Sequence, residues 1–449
     1  MNSGKEEGFM RKAGMLESWG WRSGRVGLGV LAITVALGAG EPVVQPPEIP
    51  EVSRRINAFT FDLLHRHAAR TNVPANAVLS AQSIYHGLAM SYVASGGKTR
   101  AELSRALHFP DADKLLMKDL GNLRRQLVHA APGGAGARLD LTNSGWLDEK
   151  YADFQEDYLK MIERAFGAAL HRVSFADKKI VADRINRHIS DVTHGRIQRV
   201  VGPEDFASRS GPDVIDEPAL VLVNAIWFKG SWACRFDKAA TTNMPFHIDA
   251  SINAPAAMMR QQTELPYAED ATCQFLELPY ENGEFSMYVL LPKEPASIGK
   301  WIAGVNAEQV LALKGKAFAH SVDVALPKFE TRDHLGLKQI LSELGVREAF
   351  ESRGADFDQM IHKREKAFRI YISNCLHDAW VRVDEEGSEA AAATTTVHYS
   401  IGCSAPSRPR PILFHADHPF LYLIVHNQSR SILFSGWFSE PREQVGDRK

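Results

Sequence analysis

The sequence predicts an α+β fold from the distribution of two hydrophobic patterns along its 449 residues. Apolar residues at helical spacing concentrate in the first half of the chain, whereas short strand-like apolar runs concentrate in the second half. The two patterns do not alternate as they would in a parallel α/β protein. With 45% hydrophobic and 24% charged residues, the chain has enough apolar side chains to bury a sizeable core.

The first 40 residues have the order of a secretory signal. Arg22 and Arg25 precede an apolar run over 26–39, which ends in small residues before Glu41. Such a run is too short to span a bilayer comfortably, which favours a signal peptide over a membrane anchor. We therefore expect residues 1–40 to be a head with a signal peptide and the protein to be secreted to the extracellular space or the periplasm. Membrane anchoring is the alternative.

Residues 41–53 predict an extended linker. They contain four prolines, which cannot donate ladder hydrogen bonds and which favour extended backbone. A single domain is expected to follow, over residues 54–441. Residues 442–449 are then a short C-terminal tail.

Within the domain, helices are predicted from the spacing of apolar residues. Segment 54–70 carries Phe59, Leu63 and Leu64 at helical spacing, and the more hydrophobic segment 83–95 is expected to be a buried helix. Further helices are predicted over 98–108, 113–129, 151–166 and 177–193. Strands are predicted over 139–146, 219–228, 275–280, 285–291, 322–326, 380–383 and 421–425.

Charge, cysteines and motifs argue against several functions. A net charge of −2 gives no general attraction to nucleic acid or anionic lipid. The four cysteines are widely spaced without a C-x-x-C pair, which argues against a zinc site or a disulfide scaffold. The chain has no G-x-S-x-G, no H-E-x-x-H and no G-x-G-x-x-G after a strand. We predict no metal, cofactor or small-molecule substrate and no enzyme, although a hydrolase with a dispersed triad stays open.

The stretch 384–406 combines the boundaries of an exposed loop with the chemistry of a strand. From 388 to 400 it has one charge, Glu389, with no proline or glycine, and residues 394–397 favour a pleated strand. An acidic turn precedes it, and Gly402 and several prolines follow it. A strand-competent segment outside a sheet is an aggregation hazard, so its presence indicates a use.

Insertion into the protein's own sheet is one such use. Because side chains alternate between the faces of a strand, an inserted segment would bury one set of small residues. These are Ser388, Ala390, Ala392, Thr394 and Thr396. Gly387 would supply the backbone freedom of the pivot. The alternative is an Ala-rich helix or linker, which residues 394–397 disfavour.

The stretch resembles the hinge and reactive loop of a serpin. Segments that resemble serpin segments, in the family's order, are 74–103, 219–237, 275–292, 326–350, 369–383 and 414–441. The resemblance implies a serpin fold over 54–441, with about nine helices around three β-sheets. The central sheet would have five strands, and an exposed reactive-centre loop would cover about 385–413.

The resemblance also assigns the parts of the loop. The implied hinge consists of Glu385, Glu386, Gly387, Ser388, Glu389, Ala390, Ala391, Ala392, Ala393 and Thr394. We expect Ser388 to lie at the exposed base of the uncut loop. Counting from Gly387 places the reactive bond at Ile401–Gly402. Residues 401–414 are longer than is usual in the family, so Tyr399, Ser400, Cys403 and, against its following proline, Arg408 remain alternatives.

Polar residues in apolar surroundings form a second set of candidates. Ser80 and Ser83 precede the predicted buried helix, Asn224 interrupts an apolar strand, and His377 lies just before another strand. Each would be costly to bury unpaired, but together they can satisfy one another. Locally satisfied core groups are the alternative. The resemblance implies that these four form the family's shutter, beneath the opening sheet, and that Trp232 lies at the breach, where the loop enters.

The resemblance implies a suicide-substrate inhibitor of serine endopeptidases. The protease would attack the loop, and insertion of the loop would trap the acyl-enzyme as a covalent 1:1 complex. The native protein is expected to be a monomer and to be consumed without turnover. Three alternatives stay open: a non-inhibitory serpin that acts as a carrier or chaperone, an inhibitor of cysteine proteases, and a hydrolase.

Overall fold

The computed structural model describes residues 49–70, 76–109, 113–130, 137–151, 153–206, 210–211, 214–215, 219–294, 298–362, 370–388 and 410–441. The predicted head, most of the predicted linker and the C-terminal tail lie outside these residues. So do hinge positions 389–394 and the predicted reactive bond. All the described residues belong to one compact unit, Glu48–Lys449.

Nine α-helices are found in the described part of the chain. They are α1 (Glu51–Arg70), α2 (Ala81–Val93), α3 (Gly97–Ala106), α4 (Asp113–Ala130), α5 (Glu156–Phe166), α6 (Lys178–Val192), α7 (Ile298–Ile302), α8 (Ala307–Lys316) and α9 (Lys338–Glu343). The first six match the six predicted helices to within a few residues at most ends. Helix α1 begins at Glu51, within the predicted linker, because Pro50 starts a helical turn: its carbonyl accepts hydrogen bonds from the Ser53 and Arg54 amides.

Side-chain caps explain several of these boundaries. Ser80 Oγ accepts a hydrogen bond from the Ser83 amide at the start of α2, and Asp177 caps α6 in the same way. Helix α5 ends at Gly167, which adopts the left-handed conformation that glycine tolerates best. Helix α2 is buried along its whole length, as its hydrophobicity predicts.

Seventeen strands form three sheets in the described residues. They are β1 (Ala77–Leu79), β2 (Arg138–Asp148), β3 (Ala169–Val173), β4 (Ser210–Gly211), β5 (Val214–Ile215), β6 (Leu220–Ser231), β7 (Thr242–His247), β8 (Asn253–Glu269), β9 (Cys273–Pro279), β10 (Phe285–Pro292), β11 (Phe318–Pro327), β12 (Phe329–Gly336), β13 (Ile372–Val383), β14 (Gly387–Ser388), β15 (Ile412–His415), β16 (Phe420–His426) and β17 (Ser431–Phe438).

The central sheet has the order β12-β13-β14-β6-β2-β3. Five of its strands have at least five residues each, which agrees with the expected five-stranded central sheet. The sixth strand, β14, has only two residues. Strands β13 and β6 run parallel and pair directly from Ile372 and Leu220 as far as Ala379 and Ile226. Helix α6 covers one face of this sheet through a separate apolar cluster that includes Trp146 and Ile185.

The larger sheet has nine strands, with the path β1-β17-β16-β10-β9-β8-β11-β15 and with β7 paired to β8. Strands β4 and β5 form the third sheet. The predicted strand segments coincide with parts of β2, β6, β9, β10, β11, β13 and β16, and two of them extend one residue beyond the strand, at Ala219 and at Tyr280. The long strand β8 was not predicted, and its two prolines, Pro255 and Pro266, explain why.

Candidate functional site

The entrance to the central sheet is formed where β13 and β6 separate. Beyond Ala379 and Ile226, these strands no longer pair with each other, and β14 lies between their ends. Ser388 lies opposite Val383 of β13 on one side and opposite Gly230 of β6 on the other. A strand antiparallel to both neighbours has therefore already begun at the sheet entrance.

Ser388 is buried, so the prediction that it lies at the exposed base of the loop is wrong. Its side chain is only 1% exposed, and its Oγ lies 2.6 Å from the hydroxyl of Tyr280. A tight turn places it there, because the Asp384 amide donates to the Gly387 carbonyl and the Gly387 amide donates back to Asp384. The sequence shows that Ser388 fits inside a sheet but not how many hinge residues pair before cleavage.

Gly387 is required at the entrance because two backbones approach closely. A Cβ atom at this position would lie 2.0 Å from the Gly230 carbonyl oxygen and 2.7 Å from the Ser231 Cα. Both atoms belong to the backbone of β6, so they cannot rotate away. A glycine at position 387 is therefore needed for steric fit against β6, in addition to the backbone freedom that the predicted pivot requires.

Trp232 lies beside the hinge, where the sequence places the breach. Its indole Nε1–H donates to the Asp384 carbonyl over 2.9 Å, and its amide donates to the Glu386 carbonyl over 2.8 Å. Its ring stacks on Tyr280, with a centroid distance of 4.6 Å and an interplanar angle of 12°. Trp232 therefore fixes both the turn before β14 and the ring that contacts Ser388.

Tyr280 is a site residue that the sequence analysis missed. It follows β9 and is fully buried, with its ring edge against Phe228 and its hydroxyl on Ser388. Burial raises the pKa of Tyr280 far above its ordinary range, so the hydroxyl keeps its proton and can donate. A tyrosine hydroxyl at the end of a buried strand was the available signal, because such a group requires a partner.

The two hinge glutamates are each held by a lysine. The Glu385 carboxylate is buried, lies 2.8 Å from Lys328 Nζ and accepts a 2.8 Å hydrogen bond from Thr241 Oγ1. Burial alone would raise the pKa of Glu385, but the bonds from Lys328 and Thr241 outweigh it and lower the pKa. Glu386 forms an ion pair with Lys238. The base of the loop is therefore attached to β14, to the Trp232 segment and to two lysines.

The structure brings three of the four predicted shutter residues into direct contact. The Ser80 amide donates to His377 Nε2 over 3.0 Å, and the Ser83 amide donates to Ser80 Oγ over 3.2 Å. His377 lies opposite Asn224 in the register of β13 and β6. All four residues are buried. The predicted cluster thus spans the start of α2 and the two parallel strands β13 and β6.

Asn224 has a different main partner from those predicted. Its Nδ2 donates to Oδ1 of Asn143 on β2 over 2.9 Å, so Asn143 is a fifth member of the cluster. Helix α2 packs directly against this pair at Gly87, where a Cβ would lie 2.1 Å from Asn224 Nδ2. Asn143 lies between Thr142 and Ser144 and not in an apolar run, so the criterion that selected Asn224 does not select it.

The shutter is incompletely hydrogen-bonded in the described structure. Within the described residues, His377 Nδ1, Asn224 Oδ1, Asn143 Nδ2 and Ser83 Oγ are buried without a partner. Burial lowers the pKa of His377 to about 4, so the ring is neutral at physiological pH. His377 and Asn224 lie opposite each other across β13 and β6, whereas Asn143 lies on β2 and Ser83 on α2.

The remaining predicted site residues lie outside the described part of the chain. These are Glu389, Ala390, Ala391, Ala392, Ala393 and Thr394 of the hinge, and Ile401 and Gly402 of the reactive bond. Their roles stay predictions. Cys234 is exposed near the entrance, whereas Cys273 and Cys375 are buried, and the three thiols are free. Among the described residues, no group of three or more His, Cys, Asp or Glu side chains is placed to hold a metal ion.

Comparisons with known proteins agree with this architecture. The family model "Serpin (serine protease inhibitor)" matches residues 54–441. The human leukocyte elastase inhibitor is 34% identical over 403 residues, which cover 87% of this chain and 100% of the relative. The Xenopus laevis leukocyte elastase inhibitor is 33% identical over 392 residues, which cover 85% of this chain and 97% of the relative.

A solved structure has the same fold. The native state of the thermophilic serpin tengpin superposes with a TM-score of 0.75 at 23% identity, covering 89% of this chain and 97% of that chain. At this level of identity, the likeness shows the fold alone.

The prediction of secretion through a signal peptide is wrong. The leukocyte elastase inhibitors to which the chain is similar are intracellular serpins that lack signal peptides. A charged, apolar and small-residue order is a weak signal, because a short apolar run beside arginines also arises outside signal peptides. No helix within the described ranges is both long enough and apolar enough to cross a membrane.

Proposed function

Because this chain belongs to the serpin family, we propose that it inhibits a serine endopeptidase as a suicide substrate. The predicted family and the predicted serpin fold are confirmed. The predicted activity agrees with the relatives, which include the leukocyte elastase inhibitors and the human plasminogen activator inhibitor 2. The finer steps of the mechanism rest on the geometry of the sheet entrance.

One observation carries the proposal: Ser388 already pairs with both β13 and β6. In the described residues, β13 from 380 to 382 pairs only with β12, and β6 from 227 to 229 pairs only with β2. The first residues to follow Ser388 into the sheet would therefore break no hydrogen bond between β6 and β13. Only past Ala379 and Ile226 would the parallel pairing have to open.

The reaction starts as an ordinary proteolytic attack. The serine hydroxyl of the protease adds to the carbonyl carbon of the residue before the scissile bond, and the bond to the next nitrogen breaks. The carbonyl is then an ester on the protease, and the new amino terminus leaves with the C-terminal segment. Water would complete hydrolysis, but insertion of the segment after Ser388 moves the esterified protease first and distorts its site. The product is a covalent 1:1 complex, and the inhibitor is consumed.

The free energy released by insertion of the strand is large enough to distort the captured protease. The inserted strand would replace one parallel interface by two antiparallel ones, and antiparallel pairing is slightly more stable per residue. About a dozen inserted residues would add roughly ten hydrogen bonds, at about 1 kcal/mol net each. A gain on the order of 10 kcal/mol is comparable with the whole stability of a typical domain. Insertion can therefore offset the free-energy cost of distorting the captured protease.

We place the reactive bond at Ile401–Gly402 and expect an elastase-like target. An aliphatic, β-branched side chain suits a shallow apolar pocket, and the human relative is named as an inhibitor of leukocyte elastase. Tyr399, Ser400, Cys403 and Arg408 are the alternative positions. Mass spectrometry of the released C-terminal fragment decides among them: cleavage after Ile401 gives a fragment that begins at Gly402, and cleavage after Tyr399 gives one that begins at Ser400.

The fold does not by itself distinguish an inhibitor from a carrier. A thyroxine-binding globulin complex with thyroxine also superposes, with a TM-score of 0.74 at 23% identity over 87% of this chain and 99% of that chain. The small residues 390–393 favour inhibition, because they can pass between two strands. The described residues include a Ser–His–Glu arrangement of Ser429, His426 and Glu284. Ser429 and His426 are buried, so a substrate could not reach them and the arrangement does not favour a hydrolase.

The test is incubation of the pure protein with a panel of serine and cysteine proteases, elastases first. We expect a complex that survives SDS, with one protease bound per inhibitor molecule, and loss of inhibitor in proportion to protease. Continued turnover of the loop without a stable complex, across the whole panel, contradicts inhibition.

A further inference from the structure

We infer that Tyr280 is a positioning residue for inhibition, because it holds Ser388 in the sheet before the loop is cut and so keeps a started strand ready for extension. This inference deepens the proposed function and rests on it for the inhibitory step. The docked state of the hinge itself is described by the structure and is testable without any protease.

The first argument is geometric. The Tyr280 hydroxyl is 2.6 Å from Ser388 Oγ, and both groups are buried. In the part of the chain that the structure describes, Ser388 is the hydrogen-bond partner of this hydroxyl. Releasing the hinge would therefore leave a buried hydroxyl unpaired, which costs free energy. The bond thus favours the docked hinge over the released hinge.

The second argument concerns the support of the ring. Tyr280 stacks on Trp232 and meets Phe228 edge-on, so its ring is held between two aromatic side chains. The neighbouring backbones are also linked, since Trp232 and Tyr280 form an isolated β-bridge. The hydroxyl therefore has little freedom to follow Ser388 outward. A rigidly held hydroxyl of this kind specifies one position for the first inserted side chain.

The third argument concerns kinetics. Starting a strand fixes backbone before any compensating pairs form, so the first residue is the costly one. In this chain, that residue is already paired on both sides. The chain from Glu389 to Pro411 has 23 residues, which is about 75 Å when extended. Docking two residues therefore leaves ample loop for a protease while removing the slow first step of insertion.

The inference is tested with Tyr280→Phe, which keeps the stacked ring and removes only the hydroxyl. Tyr288→Phe is the matched control, because Tyr288 is buried and its hydroxyl accepts from Arg430, away from the hinge. Hydrogen exchange of segment 383–388 is measured in the uncut full-length protein. We expect exchange to be about fivefold faster in Tyr280→Phe, the ratio that one net hydrogen bond gives, and unchanged in Tyr288→Phe. Equal rates in the parent and Tyr280→Phe overturn the inference.

The inhibitory consequence is read from stoichiometry. An ideal inhibitor consumes one molecule per protease molecule inhibited, and any number above one counts inhibitor molecules that were hydrolysed before insertion. We expect the number of hydrolysed molecules per inhibited protease to rise up to about fivefold in Tyr280→Phe and in Ser388→Ala. The rate constant for association with the protease should stay within about twofold of the parent value. The double variant should be no worse than Ser388→Ala alone. Additive effects of the two substitutions contradict the shared hydrogen bond.

The two failures are distinguishable. If the parent forms no stable complex with any protease but Tyr280→Phe still loosens segment 383–388, the proposed function is wrong and the docking role of Tyr280 stands. If the parent inhibits normally and Tyr280→Phe matches it in exchange and in stoichiometry, the proposed function stands and Tyr280 is only a core residue.

Discussion

The carboxylate of Glu385 lies 2.8 Å from the ammonium group of Lys328, and this ion pair joins the base of the reactive loop to the junction of β11 and β12. The Glu385 side chain is only 5% exposed, so its charge is compensated mainly by Lys328 and by the hydroxyl of Thr241. Removing one member of such a pair leaves a buried charge without compensation.

The hinge should loosen in acid because of Glu385. Its pKa is lowered in the folded protein, so the folded state holds the ionised form more strongly than the unfolded chain does. The stabilisation is therefore fully present above the ordinary pKa of a glutamate, about 4.3, and is lost as the pH falls through the lower folded value. We expect unfolding free energies from pH 3 to 7 to show this loss in the parent and a smaller loss in Glu385→Gln. Parallel pH curves for the two proteins contradict the assignment.

Lys328→Met should be more damaging than Glu385→Gln at pH 7. It leaves the Glu385 carboxylate buried and unpaired, at a cost of about 3 kcal/mol or more. The difference should shrink as the pH approaches 3, because protonation removes the charge. Chemical denaturation at the two pH values measures it, and an equal deficit at both would show that Lys328 acts by packing alone.

Ser388→Arg should convert the inhibitor into a substrate. The guanidinium cannot occupy the buried slot beside Tyr280 without a partner, so the hinge is expelled and insertion cannot start. The same protease should cut the loop at the same bond without a stable complex, whereas Ser388→Ala should remain an inhibitor. Since Ser388 is buried in the uncut protein, segment 383–388 should also exchange hydrogen faster in Ser388→Arg. Normal stoichiometry in this variant would mean that insertion does not begin at Ser388.

Cleavage of the loop should raise the thermal midpoint sharply. The freed segment would extend β14 between β6 and β13, so that each of these strands pairs with the inserted strand beyond Ala379 and Ile226 and, after the parallel pairing opens, along the rest of its length. Melting curves before and after limited proteolysis, with fragment masses that confirm a single cut within 399–403, measure the effect. A midpoint that stays the same or falls rules out insertion.

His377 should contribute to acid sensitivity of the whole domain. Its pKa falls to about 4 by burial, compared with an ordinary value of about 6.5. The unfolded chain therefore binds a proton that the folded state rejects, and stability is lost as the pH falls from 6.5 to 4, by on the order of 3 kcal/mol. Burial also lowers the pKa of His86 and His426, so these residues add to the loss of stability in acid. The contribution of His377 is therefore measured as the difference in pH dependence of the unfolding free energy between the parent and His377→Gln. Identical slopes over this range contradict the assignment.

The sequence predicted the first six helices, and in the central sheet it predicted β2, β6 and the end of β13, because these elements carry their own apolar pattern. It did not predict β3 and β12, which are partly exposed. It also selected the polar shutter residues, since Asn224 and His377 stand out inside apolar runs. It missed Asn143 and Tyr280 as site residues, because Asn143 lies among the polar residues Thr142 and Ser144 and Tyr280 follows the end of β9. Lys328 and Thr241 were beyond its reach, because a lysine at a strand junction and a threonine in a turn resemble ordinary surface residues until folding brings them to Glu385.

The burial of Ser388 was also beyond the sequence. The hinge residues are compatible with both a free loop and an inserted strand, and the choice depends on backbone groups of β6, β13 and the Trp232 segment. The partner of Ser388 in β13, Val383, is five residues away, whereas its partner in β6, Gly230, is 158 residues away. The free-energy difference between the two states of the hinge arises from those contacts and not from local preference.

Beyond Ala379 and Ile226, β13 and β6 no longer pair with each other, so each strand presents a backbone edge inside the central sheet. Among the described residues, only β14 covers the facing backbone groups of these strands. An uncovered edge is a template for whichever strand of suitable length reaches it first. Gly387 and Ser388 already occupy the first pairing positions of this edge. Any other extended segment, including the loop of a neighbouring copy, would have to displace them before it could pair there.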